Sequence, residues 1–139
     1  MSLVLDASAT LAWLFERTDR NEAKRADRLL DAVAGETSMV PMLWHSEVCN
    51  TLLVAERRKV ISEAQTADFL ARLSRLPIDT DATPLAPRRE VVVALGRRFQ
   101  LSAYDASYLD LALRSGATLA SFDTKLLDAM RKAGGQIFE

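Results

Sequence analysis

Cysteine and histidine are nearly missing from this chain, with one of each in 139 residues. A lone Cys49 cannot close an internal disulfide, which agrees with a reducing compartment. His45 lies four residues before it and nothing else marks a Cys/His nucleophilic site, so Cys49 is expected as a small buried hydrophobe on a helix. Long apolar runs are also lacking. The opening MSLVLD has neither the basic start of a signal peptide nor the apolar length of a membrane span, so a cytoplasmic location with no membrane partner is expected.

Charge of one sign is absent as well. With 18 basic and 19 acidic side chains the net charge is −1, which provides no global field to attract nucleic acid. A phosphate-bearing substrate would need a local cluster, such as Arg17, Arg20, Lys24, Arg25 and Arg28, or a bound cation; a solvated helix face is the other reading of those side chains. Trp13 and Trp44 have no aromatic series around them, so they are expected as core or interface anchors rather than base-stacking platforms.

What remains is a globular mixture, 49% hydrophobic and 27% charged, which excludes disordered and collagen-like classes and fits one domain over residues 1–139. No internal repeat or low-complexity segment interrupts it. LVLD reads as a strand and SATLAWLF as a helix after it. Asn21 is the expected cap of a second helix running to Ala34 and closed by Gly35. SMVP follows as a strand, then a helical pattern over residues 43–59, then Ser62 and Gln65 as the capping box of another helix with Ala67, Phe69, Leu70 and Leu73 inward. LPID suggests a brief strand, TDATPLAP a loop, and REVVVALGRRF a helix by length. Ser102 and Asp105 form a Ser-x-x-Asp cap for a helix over residues 103–115, closed by Gly116; ATLAS, TKLLDAMRKA and QIF then read as strand, helix and short strand.

Alternating strands and helices imply parallel pairing, hence a three-layer α/β/α sandwich with a mostly parallel central sheet. In such sheets functional groups gather at the carboxyl edge. Asp6 ends the first strand there, Asp123 lies just beyond ATLAS, and Glu47 falls early in the helix after SMVP. Asp105 opens the helix feeding ATLAS. Four carboxylates converging on one volume would repel strongly without a cation, and a hard divalent ion such as Mg²⁺ or Mn²⁺ suits an all-oxygen donor set. Taken singly, Asp6 and Asp123 also fit helix N-caps, Asp105 a helix-terminal carboxylate suited to the macrodipole, and Glu47 a surface glutamate. Asp110, five residues past Asp105, is turned away from it and is expected at the surface or in local pairing. Asp19, Asp27, Asp79, Asp81 and Asp128 carry no signal, and His45 points elsewhere on the helix than Glu47.

The strings LVLDAS, PMLWHSEVCN, LSAYDASYLDLAL, TLASFD and KLL, in that order, resemble the PIN-domain family of VapC-type ribonuclease toxins over nearly the whole chain. The resemblance implies that Asp6, Glu47, Asp105 and Asp123 occupy the family's acidic positions, with Ser8 and Asn50 at its polar supporting positions and Ser121 where a threonine is frequent. It further implies a Mg²⁺- or Mn²⁺-dependent endoribonuclease, RNA as substrate, a cognate antitoxin as partner and, with Trp13 and Trp44 near apolar helical faces, a homodimer. With no histidine pair or activated serine, hydrolysis is expected through a metal-activated water. Asp6, Asp105 and Asp123 would be the metal ligands, Glu47 either a further ligand or the group orienting the water, and Ser8, Asn50 and Ser121 the donors that fix carboxylate orientation. Two rivals stand beside this reading. A phosphorelay receiver needs an acidic pair after its first strand and a lysine ending its fifth, neither of which is present. A silent PIN-like binding module would not need its acidic positions filled.

Overall fold

The computed structural model describes residues 2–139. Its sheet is built around β1 (Leu3–Leu5), whose three side chains are 0% exposed, as a central parallel strand covered on both faces requires. β2 (Ser38–Pro41), β3 (Ile78–Asp81) and β4 (Thr118–Ala120) complete it in the order β3-β2-β1-β4, with every pairing parallel. Leu3 stands opposite both Ser38 and Thr118, and Val4 opposite Met39 and Leu119.

Right-handed crossovers distribute the helices. α1 (Ala7–Leu11) and α2 (Arg20–Gly35) connect β1 to β2, and α3 (Met42–Arg57) and α4 (Glu63–Leu73) connect β2 to β3; both steps travel the same way, so these helices share one face. The return from β3 to β4 runs the other way through a 3₁₀ turn (Ala86–Arg88), α5 (Arg89–Phe99) and α6 (Ala103–Ser115), which therefore cover the opposite face with α7 (Thr124–Lys132). Accordingly α1 packs on α3, while α6 lies over β1 and β2 and packs against α5 and α7. This is the expected three-layer α/β/α sandwich. No helix among the described residues is long and apolar enough to cross a membrane.

Local chemistry sets the boundaries. Ser62 and Gln65 form the reciprocal capping box, with bonds of 2.9 and 3.1 Å, and Gly116 ends α6 with a left-handed φ of 63° that favours glycine. The second helix starts earlier than expected: Asp19, not Asn21, is the cap and accepts from the Glu22 amide at 3.0 Å. The third strand is shifted from LPID to IDTD, because Pro77 has no amide to donate and offers only its carbonyl to Ser38. QIF forms a single parallel bridge, Leu119 to Ile137, rather than a strand.

Three side chains, Cys49, Ala67 and Leu70, depart from expectation by being exposed. Cys49 is exposed, because α3 turns Val48 and Leu52 inward and Cys49 outward. Ala67 and Leu70 are exposed rather than inward, leaving Phe69 as the buried side chain of α4. Trp44 is a core anchor, as expected, whose indole N–H donates to Thr10 Oγ1 at 3.1 Å, and half-buried Trp13 donates to the Ala26 carbonyl at 3.1 Å. Asp110 is paired, as anticipated, but in the interior: only 5% exposed, it takes a fork of hydrogen bonds from Arg88 and a longer one from Arg114, which also reaches Asp81. These contacts tie α6 to the turn before α5 and to the end of β3.

Candidate active site

β1 and β4 are neighbours whose chains leave the carboxyl edge towards opposite faces, β1 into α1 and β4 into α7. Such a reversal opens a crevice that neither connection fills. Asp6 and Asp123 are the residues at which those two chains leave. Glu47 lies in the second turn of α3, which leaves the same edge after β2, and Asp105 in the first turn of α6. A crossover helix begins at the carboxyl edge in order to end where the next strand starts, so Asp105 belongs to the crevice as well.

Asp6 is 5% exposed and held on every side. Its Oδ1 accepts from the Ala9 amide at 2.9 Å and the Ser8 hydroxyl at 2.7 Å, and its Oδ2 accepts a short bond from the Ser121 hydroxyl. The serines are themselves anchored: Phe122 N–H donates to Ser8 Oγ at 3.0 Å, and Asp123 N–H to Ser121 Oγ at 2.9 Å. Burial pushes the Asp6 carboxyl up to about 6; the bonds from Ser121, Ala9 and Ser8 offset part of that, and the Asp105 charge adds to it.

Asp105 is where the charges meet. Its carboxyl is raised by burial, then by Asp123, then by Glu47, with Ser102 and Lys125 opposing. Asp105 is not the cap of its helix, since the Ser102 hydroxyl accepts its amide at 3.1 Å. Asp6 and Asp123 do cap helices. Both cap bonds of Asp123, from the Lys125 and Leu126 amides at 3.0 and 3.3 Å, fall on Oδ1, which leaves Oδ2 for another partner. The capping and site readings of these two aspartates are therefore compatible.

Tyr108, which motif reading passed over, donates its hydroxyl to Glu47 Oε1 at 2.6 Å. Burial and the adjacent glutamate push its pKa far up, so it remains a donor. The available signal was its spacing, three residues after Asp105 on one helix face. Asn50 is exposed and makes no side-chain hydrogen bond to any of the four carboxylates. His45 bonds Thr80 Oγ1 at 2.8 Å, on the edge strand and away from Asp6.

At the rim, Arg17 and Arg25 place their guanidinium carbons 4.6 and 4.3 Å from the centre of the Phe122 ring. Arg17 is neutralised by Glu22 at 2.8 Å, while Arg25 reaches only the Ser121 carbonyl, at 3.4 Å. Two of the five cations singled out in the sequence therefore border the crevice.

Among the described residues no three His, Cys, Asp or Glu side chains stand in a constellation ready to hold a metal ion. The donor chemistry nonetheless fits a hard divalent cation: all four groups are carboxylates, and two, Asp6 and Asp105, have their protonated forms favoured by burial and by neighbouring carboxylates. Mg²⁺ needs only one or two carboxylates beside water and substrate phosphate, so a closed protein cage is not required.

The model of the PIN domain family matches residues 3–132. Among solved structures, that of PAE2754 from Pyrobaculum aerophilum is similar with 26% identity over 93% of this chain and 79% of that one, at a TM-score of 0.67. FitAcB from Neisseria gonorrhoeae shares the fold at 16% identity, over 99% of this chain and 96% of that one, with a TM-score of 0.66. No curated protein sequence matches the chain.

Proposed function

Because the chain belongs to the PIN domain family, whose members are generally metal-dependent nucleases, we propose that it is a VapC-type ribonuclease toxin. In this reading residues 1–139 form one PIN domain, located in the cytoplasm and held in check by a cognate antitoxin. The observation that carries it is the pooling of charge at Asp105, which feels Asp123 and Glu47 and acts on Asp6. Folding spends energy to bring these groups together, and a cation would relieve it.

Asp6, Asp105 and Asp123 would hold Mg²⁺ or Mn²⁺. When bound, such an ion supplies Lewis-acid activation of water and neutralises charge on the phosphoryl oxygens. The protein's own contribution is orientation. Ser8 and Ser121 fix both oxygens of Asp6, and the cap bonds on Oδ1 of Asp123 fix its plane. Tyr108 holds Oε1 of Glu47, so Oε2 is left either to join the coordination or to align the attacking water. Ser121 couples two ligands, since its hydroxyl donates to Asp6 and accepts from the Asp123 amide. Asn50, exposed and unbonded to the carboxylates, would act on a bound substrate rather than on a carboxylate of the free protein.

A receiver domain is set aside. β3 lies two places from β1 at the sheet edge, and the aspartate ending it, Asp81, is bound to Arg114. The homodimer is retained as a proposal, now resting on exposed Met42 and Leu85, which line one groove, rather than on the tryptophans.

Cleavage of structured RNAs in Mg²⁺ or Mn²⁺, abolished by chelator and by Asp6→Asn, is the test. Equal activity in the Asp6→Asn protein would remove the carboxylate pocket from the chemistry. For the antitoxin, co-expression with the adjacent open reading frame should give a co-purifying inhibitor; a neighbour that neither binds nor suppresses cleavage counts against the toxin assignment.

A further inference from the structure

A cleft of about 540 Å³ is distinct from the carboxylate crevice and adjoins it. One wall is the end of α5, with Arg98, Phe99 and Gln100; the other is one face of α7, with Lys125, Asp128, Ala129 and Lys132. The spacing of the α7 residues, at i, i+3, i+4 and i+7, makes that wall continuous for about 10 Å at 1.5 Å per residue. It begins beside Asp123, and Lys125 is near enough for its charge to act on Asp105.

The charge of the cleft is opposite to that of the crevice. Arg98, Lys125 and Lys132 make no salt bridge among the described residues, Lys125 acting on Asp105 only from a distance, whereas the one acid in the lining, Asp128, is engaged by Arg131 at 3.2 Å. Three cations outside any salt bridge in a single cleft are conspicuous in a protein of net charge −1. Arg98 is stacked with its guanidinium carbon 4.8 Å from the centre of the Phe99 ring, which braces the cation without consuming its donors. Gln100 closes α5 in the left-handed region at φ 54°, a conformation an L side chain adopts at some cost, and it too lines the cleft.

We propose that this cleft carries the phosphates of the RNA strand next to the scissile bond, with Arg98, Lys125 and Lys132 as its phosphate contacts. Paired cations and an aromatic ring in a groove are the recurring means of holding a single strand without reading its sequence. The inference rests on the nuclease reading above. It supplies what the balanced net charge cannot, a local attraction that offsets the repulsion between RNA and the acidic pocket.

The test uses a 12-nucleotide mixed-sequence single-stranded RNA. Binding is measured against salt in an Asp6→Asn background, and cleavage in the otherwise wild-type protein. Arg98→Gln and Lys132→Gln should each raise Kd and KM about fivefold, equivalent to about 1 kcal/mol per lost contact. Each should also flatten the slope of log Kd against log salt by about 0.7. Arg98→Lys should restore the slope. Arg75→Gln, an exposed cation preceding β3 and so at the amino edge of the sheet, is the control and should change neither. If wild type cleaves RNA while the Arg98 and Lys132 variants match that control, the cleft is refuted and the nuclease reading stands. If wild type does not cleave but the Asp6→Asn protein binds RNA with the predicted slope losses, the cleft is supported and the catalytic reading fails. Absence of both cleavage and RNA binding overturns both.

Discussion

Replacing Asp6 by asparagine in metal-free protein should stabilise it at neutral pH and not in acid. The Asp6 carboxyl moves from 3.8 to about 6 on folding. Between those values the folded state binds the proton and the unfolded state does not, so this group's contribution is fully present below pH 3.8 and is lost as pH rises through about 6. A difference of about two pKa units corresponds to about 3 kcal/mol at pH 8. Asparagine escapes that loss but is an imperfect substitute. Its Oδ1 keeps the bonds from Ala9 and Ser8, while its amide nitrogen must face Ser121 Oγ, whose proton then has only Ser8 Oγ, 3.4 Å away, as an acceptor. With about 1 kcal/mol charged to that rearrangement, the variant should be about 2 kcal/mol more stable at pH 8 and about 1 kcal/mol less stable at pH 3.5. Urea titrations in chelator at half-unit pH steps give the difference curve, in which contributions of the other titrating groups largely cancel. A difference independent of pH would refute the argument. Adding millimolar Mn²⁺ should reverse the order at pH 8, because only wild type retains the full ligand set.

Asp105→Asn should likewise stabilise metal-free protein and blunt the gain in Tm on adding Mn²⁺; Ser102→Ala, which removes the true cap, should cost about 1 kcal/mol and leave that gain intact, and identical metal responses in the two variants would contradict the division of roles. Tyr108→Phe keeps the packed ring but frees Glu47 Oε1, so cleavage should fall about tenfold, equivalent to about 1.4 kcal/mol, with little change in Mn²⁺-induced stabilisation; unchanged turnover would make the contact purely structural. Asp110→Asn should lower Tm by weakening the ties to Arg88 and Arg114 while leaving the metal response unaltered, since that carboxylate belongs to a separate network; a lost metal response would join the two.

Helices α4 and α6, whose caps stand clearly in the sequence, were legible to about a residue, whereas α2 was not, because Asp19 rather than Asn21 caps it. α5, which has no side-chain cap, was read from its length despite Val91, Val92 and Val93, whereas α6 was readable between Ser102 and Gly116 because caps are local and their rules depend on a few adjacent side chains. β2 was legible for the same reason, bounded by Gly35 and Pro41. The edge strand β3 was displaced because half of it faces solvent, which leaves little apolar pattern, and Pro77 decides its start. Asp6, Glu47, Asp105 and Asp123 could be placed at one edge from topology alone, whereas the contacts that hold them could not. Ser121 reaching Asp6 and Tyr108 reaching Glu47 are separated by 115 and 61 residues and follow no local rule. Asp110 and Cys49 show the same limit from the other direction. Helical spacing gave their angular positions, but which side of each helix faces the interior depends on packing.

The clasp between the ends of the chain gives the protein a schedule. Asp6 precedes its Oδ2 partner Ser121 by 115 residues in the order of synthesis, and the amide that anchors Ser8 is that of Phe122. β1, at the middle of the sheet, must wait for β4 before its second edge is covered. A nascent chain carrying everything up to α5 would already hold Asp6 and Glu47, but neither the Asp105 nor the Asp123 half of the site. For the ribonuclease proposed above, this order of synthesis would be protective: the machinery translating its message would meet the complete pocket only after β4 and the turn that follows it have emerged.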